Sequence, residues 1–144
     1  MSPQHQTIFA ELQSKGYLFH GSTDAHDTLK PRQAYSTVSG VRVPDDKPGV
    51  HTTPDYRIAI FMAIFNDRYI KGVHCGFSVT TAGVDLHASR DSFEQARGSK
   101  GFVHVMKPDG FIERNSSEYI SYSAVGVAMV IEVDFTDLVD VRIV

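Results

Sequence analysis

A helix that is apolar over much of its circumference has to be covered, and the segment Thr53-Pro-Asp-Tyr-Arg-Ile-Ala-Ile-Phe-Met-Ala-Ile-Phe65 reads as such a helix. Ile58, Ala59, Phe61, Met62 and Phe65 spread around it, which predicts packing against a sheet. Thr53 is read as its N-cap and Pro54 as the first helical residue, with Asp55 in the first turn, where the helix dipole favours an anion. Asn66-Asp67 is expected to close it. The covering strands have to come from the rest of the chain.

Ser2 and Pro3 start a first, short helix over residues 3–15, with Ile8, Phe9 and Leu12 as a narrow apolar stripe and Gly16 as its end. Residues 17–19 read as a first strand and residues 50–53 as a second. Between them, over residues 21–49, periodicity weakens and turn signals accumulate: Lys30-Pro31, Ser39-Gly40 and Pro44-Asp-Asp-Lys-Pro48. A connection of this length is read as a binding loop, anchored by Leu29-Lys-Pro31 and most mobile over residues 42–47.

Beyond the apolar helix the chain turns β-rich. Val73, Cys75, Phe77 and Val79 alternate with His74, Gly76 and Ser78, the pattern of a strand with one buried face. Residues 84–88 are read as loop and residues 92–96 as a short helix before Gly98. Residues 101–106 form a strand, and Pro108-Asp-Gly110 turns it towards Phe111-Ile112 as a hairpin. Residues 125–135 are the longest predicted strand, and residues 139–144 a last edge strand. Two early helices followed by several antiparallel strands predict an α+β fold with a β-rich core, in one domain over residues 1–144.

Composition narrows the function classes. A chain of 144 residues buries about two-thirds of its unfolded surface, enough for a real core. With 42% hydrophobic and 22% charged residues it resembles neither a disordered nor a membrane-spanning chain, and no apolar run approaches the ~20 residues of a span. The formal charge of −3 argues against general nucleic-acid binding. One cysteine allows no intrachain disulfide, and the N-terminus has neither a basic nor an apolar leader region, so a cytoplasmic protein is expected.

No metal is expected. His74 and Cys75 are adjacent in a predicted strand and so face opposite ways, and no C-x-x-C or H-x-x-x-H spacing exists. Cys75, at an apolar strand position, reads as an inert thiol. Phosphate-binding glycine loops are absent from the sequence.

Three stretches carry the candidate chemistry. Tyr17-Leu-Phe-His-Gly-Ser22 delivers His20 onto a glycine turn at the end of a strand, Gly49-Val-His-Thr-Thr-Pro-Asp55 sets His51 just before the apolar helix, and Ser116-Ser-Glu-Tyr-Ile-Ser121 places Glu118 at the start of a strand. In this order they resemble the three motif positions of the ADP-ribosyltransferase superfamily, in the branch whose site is built from a His, an aromatic residue and a Glu. The poly(ADP-ribose) polymerases and the rifampin-modifying enzymes belong to that branch. The resemblance spans residues 17–138, and in size the chain looks like the small stand-alone bacterial, phage or toxin members.

That resemblance implies two small antiparallel sheets packed around a cleft for NAD, which is consumed as a substrate. His20 would hydrogen-bond a ribose hydroxyl, and the Gly21 backbone would pair with the nicotinamide carboxamide, with glycine needed for close approach. Ser22, Thr52 and Phe61 would complete the NAD-binding set. His51 stands where the family has a Tyr or Phe, with less stacking area and a titratable ring. Glu118 would stabilise the positive charge that develops on the ribose as nicotinamide leaves, as carboxylates do in glycoside hydrolysis. Glu113 is either an acceptor-activating group or a bystander, and Lys30, Arg32 and Arg42 offer charge to an anionic ligand.

The implied activity is NAD-dependent transfer of ADP-ribose to an acceptor of unspecified class: protein, nucleic acid or small molecule. Two other readings stay open: a non-catalytic module of the same fold that binds NAD or ADP-ribose, and an NAD-dependent RNA 2′-phosphotransferase. The last would bring several arginines to the site, whereas Arg32, Arg42, Arg57, Arg68, Arg90 and Arg97 are scattered in sequence.

Overall fold

The computed structural model describes residues 1–33, 35–44, 47–65, 75–80 and 83–144. Helix α1 (Pro3–Ser14) starts as its sequence demands: Ser2 is the N-cap, its side chain accepting from the His5 backbone N–H, and Pro3 opens the first turn. Strand β1 (Leu18–Ser22) follows, longer than the expected 17–19 and carrying His20 and Gly21 inside the ladder. Strand β2 is Thr28–Leu29, β3 Tyr35–Val38, β4 Val41–Pro44 and β5 Val50–Thr52. Helix α2 is Tyr56–Ile64, β6 Cys75–Thr80, β7 Gly83–Ala88, and α3 Arg90–Gln95. The chain ends with β8 (Lys100–Met106), β9 (Ile112–Asn115), β10 (Glu118–Ser121), β11 (Val125–Gly126), β12 (Met129–Asp134) and β13 (Val141–Ile143).

The result is an α+β fold, with more sheets than the two expected. The described strands form sheets ordered β1-β8-β12, β5-β10-β9 and β13-β7-β6, with the pairs β2-β11 and β3-β4. All pairings are antiparallel except β13 with β7. A bridge between Phe19 and Thr53, with N···O distances of 2.8 and 2.9 Å, stitches β1 to the end of β5. That stitch sets the residue after Phe19 beside β5, and the site grows from it.

The apolar helix does pack on a sheet. Ile58, Ala59, Ile60, Phe61, Ala63 and Ile64 of α2 are buried in one cluster with Phe9, Phe19, Val103, Val105, Ile131 and Val133. Glycines let the helix approach closely: a Cβ on Gly21 would stand 2.1 Å from the Ala59 carbonyl oxygen, and one on Gly101 2.6 Å from that of Ala63. A second, small cluster of Leu29, Val50 and Met106 anchors the long connection where Leu29-Lys-Pro31 was expected to hold it.

Several local expectations are corrected. Thr53 does not cap α2, because its backbone is taken by the bridge to Phe19; the cap moves to Asp55, whose side chain accepts from the Arg57 backbone N–H, and Pro54 lies before the helix. Phe65 is the C-cap, and Asn66-Asp67 lies outside the described residues. Residues 84–88 are strand, not loop: Val84, Leu86 and Ala88 alternate with Asp85 and His87, and Leu86 and Ala88 are buried. Residues 21–49 hold more order than a loop, since Arg32 and Gly49 bridge at the base and Ser39 and Gly40, both at positive φ, turn β3 into β4. Of the segment expected to be most mobile, residues 45–46 lie outside the described residues.

The turn at Pro108-Asp-Gly110 forms, with the Phe111 N–H donating to the Pro108 carbonyl, yet β8 and β9 make no hairpin. Both edges of β8 are taken, by β1 and β12, so β9 pairs with β10. The strand expected over 125–135 breaks at Val127 and Ala128, which donate to Asp27 and Val105 as the chain passes from one sheet to another. Its end, Phe135–Asp137, winds into a 3-10 turn capped by Asp134. The expected edge strand at the C-terminus is β13. On β6, Phe77 and Val79 are exposed at 39% and 42%, contrary to the predicted buried face, while Val73 and His74 lie outside the described residues. No helix among the described residues is long and apolar enough to cross a membrane.

Candidate functional site

The site forms where β1, β5 and β10 meet. The His20 ring lies against β5 and its Nδ1 donates to the His51 carbonyl at 2.7 Å. A carbonyl can only accept, so the proton is on Nδ1 and Nε2 is left as the acceptor. Beneath it, His104 on central strand β8 is fully buried. Its Nδ1 donates to the His20 carbonyl at 3.1 Å and its Nε2 accepts from the His26 backbone N–H at 3.0 Å. One partner can only accept and the other only donate, so both fix the same neutral tautomer. The His26 ring stacks on His104 with centroids 5.5 Å apart.

Burial, with the neighbouring histidines adding to it, lowers the pKa of both His20 and His104 below the ordinary imidazole value. A base whose folded pKa is depressed takes up its proton first in the unfolded chain, so these two histidines favour folding above about pH 6.5, and that contribution is lost as pH falls below it. Ring nitrogen NMR is expected to find His104 taking up its second proton only below the ordinary imidazole value of 6.5; a His104 doubly protonated in the folded protein above that value contradicts this arrangement.

Glu118 opens β10, and a bulge sets its direction. The register runs Glu118 to Asn115 and then Tyr119 to Glu113, so Arg114 has no residue opposite it. The Asn115 side chain accepts from the Ser117 N–H and tightens the turn between the strands. The Arg114 guanidinium then reaches back across that turn to Glu118 Oε1 at 3.1 Å, while Glu118 Oε2 stands 3.8 Å from His51 Nδ1. Thr52 Oγ1 donates to the Tyr119 carbonyl and locks β5 to β10, which holds His51 and Glu118 in register.

Two cavities share His20, Gly21 and His51. The smaller, of about 210 Å3, includes Thr52 and Glu118 in its lining, and its walls are apolar where Met62 and Phe77 stand. The larger, of about 450 Å3, is polar and takes in Ser22, His26, Lys30 and Arg32. The predicted residues His20, Gly21, His51, Thr52 and Glu118 therefore converge on one cavity, with Ser22 on its neighbour. Phe61 does not reach either: it is 1% exposed, in the core under β1, with its ring against Phe65. It supports the site from below rather than lining it. Arg42 on β4 and Glu113 on β9 line neither cavity.

Comparison with known proteins yields no match: not to a family model, a curated protein or a solved structure. The site has to be read from its own geometry.

Three features of that geometry escape the sequence reading. His26 and His104 become a stacked pair only through the β1–β8 register, and Arg114 meets Glu118 only through the bulge. Phe77 lines the smaller cavity from β6, at the edge of its sheet among the described residues. Among the described residues no group of three or more His, Cys, Asp or Glu is placed to hold a metal ion.

Proposed function

We propose that the protein is an NAD-dependent ADP-ribosyltransferase. The observation that carries this reading is the meeting of His20, His51 and Glu118, 98 positions apart from first to last (118 − 20), around one small cavity with a carboxylate in its lining. An apolar pocket of about 210 Å3 suits a flat heteroaromatic ring, and the adjoining polar cavity, with Lys30 and Arg32, suits a pyrophosphate. His20 offers a neutral acceptor nitrogen to a ribose hydroxyl, and Glu118 offers a negative charge to the ribose as nicotinamide departs with the electron pair of the glycosidic bond. An acceptor nucleophile then bonds to the same carbon and loses its proton.

One observation favours the second reading, a module that binds NAD or ADP-ribose without turnover. His51 replaces the expected aromatic residue, and a ring protonated there pairs with Glu118 across 3.8 Å and engages the carboxylate that the reaction needs.

Ligand-dependent melting tests both. NAD is expected to raise the melting temperature of the wild type, and His20→Ala to lose most of that rise. A wild type unmoved by saturating NAD contradicts both readings; release of nicotinamide tells them apart.

A further inference from the structure

We infer that Arg114 is a positioning residue for Glu118, a role that rests on the transferase reading above. Left to itself, a glutamate in an exposed hairpin samples many rotamers, and one-third of the Glu118 side chain is open to solvent. Three features remove that freedom. The bulge at Glu118/Tyr119 leaves Arg114 with no residue opposite it on β10, and its side chain meets Glu118. The guanidinium donates to Oε1 at 3.1 Å. Oε2 is thereby left on the side of His51 and the cavity, where a ribose hydroxyl would be met.

A pair this exposed contributes little to folding, so its effect is to orient the carboxylate rather than to hold the hairpin together. Arg114 is absent from the lining of both cavities, which separates its role from ligand contact.

The test is the steady-state kinetics of nicotinamide release from NAD by the wild type, Arg114→Gln, Arg114→Lys, Glu118→Gln and the double variant Arg114→Gln/Glu118→Gln. Arg114→Gln is expected to lower kcat roughly ten- to hundredfold, the loss that follows when a catalytic group is misplaced, with KM for NAD nearly unchanged and the melting temperature within a few degrees of the wild type. Arg114→Lys restores most of the loss, because the charge remains. The double variant is expected to be no slower than Glu118→Gln, the outcome for a residue whose effect on turnover passes through Glu118. An unchanged kcat in Arg114→Gln, a defect confined to KM, or losses that multiply in the double variant overturn the role while leaving the transferase reading standing. A wild type that releases no nicotinamide overturns that reading, and this role falls with it.

Discussion

Glu118→Gln is expected to lower kcat for nicotinamide release by about 10²- to 10³-fold while leaving the fold intact, the loss seen when one preorganised charge-stabilising group is removed. The substitution keeps the side chain's size and exchanges a negative charge for a neutral amide. The hairpin does not depend on that charge: its turn is held by Asn115 accepting from Ser117, and β10 stays tied to β5 through Thr52. Binding is expected to suffer less than turnover, because the negative charge matters most when positive charge has built up on the ribose, after the ground state. High-performance chromatography of released nicotinamide, with a melting curve as the control for folding, measures both parts. A variant as fast as the wild type would falsify the assignment of Glu118.

Gly21→Ala is expected to destabilise the fold by about 3 kcal/mol or more, at the upper end of overpacking effects. The added Cβ would stand 2.1 Å from the Ala59 carbonyl oxygen and 2.7 Å from the Ala63 backbone nitrogen. Both are helix backbone, so no side chain can rotate away, and α2 has to lift off β1. That separation would open the cluster of Ile58, Ala59 and Phe61 over Phe19 and Val103, against a total stability of only about 5–15 kcal/mol for a typical domain. Gly16→Ala is the control. Gly16 sits at φ 85° with nothing within 4 Å of the methyl that alanine would add, so its cost is conformational only, roughly 1–2 kcal/mol. Urea denaturation of the two variants should separate the steric from the conformational loss, and equal midpoints would contradict the close approach of α2.

The same glycine has two explanations, and only one of them is visible in the sequence. There, Gly21 follows His20 so that a ligand can lie against the main chain; in the structure, Gly21 is required by α2 whether or not any ligand binds. The glycine after His20 is thus explained by packing, and the weight of the functional reading shifts to His20, His51 and Glu118. Their convergence on one cavity follows from the register of β5 with β10 and the bridge from Phe19 to Thr53, neither of which a single sequence displays.

Local chemistry is legible where one residue decides the outcome. Ser2 and Pro3 start α1, Ser39 and Gly40 accept the positive φ of a hairpin turn, and the apolar helix finds its sheet. What the sequence hides is anything set by competition between distant partners. Thr53 has the chemistry of a cap but is claimed by Phe19, and the Pro108-Asp-Gly110 turn is real although both edges of β8 are already occupied. His104 reads like one polar residue in an alternating strand, yet a central strand is buried on both faces, and its two ring nitrogens are satisfied only by β1 and the segment after it.

The most direct test of the account is whether purified wild-type protein, incubated with NAD, releases nicotinamide above the rate of spontaneous hydrolysis. Release that scales with protein concentration is expected. No release at saturating NAD, from protein that melts cooperatively, would contradict the claim that the cavity around His20, His51 and Glu118 cleaves the nicotinamide–ribose bond.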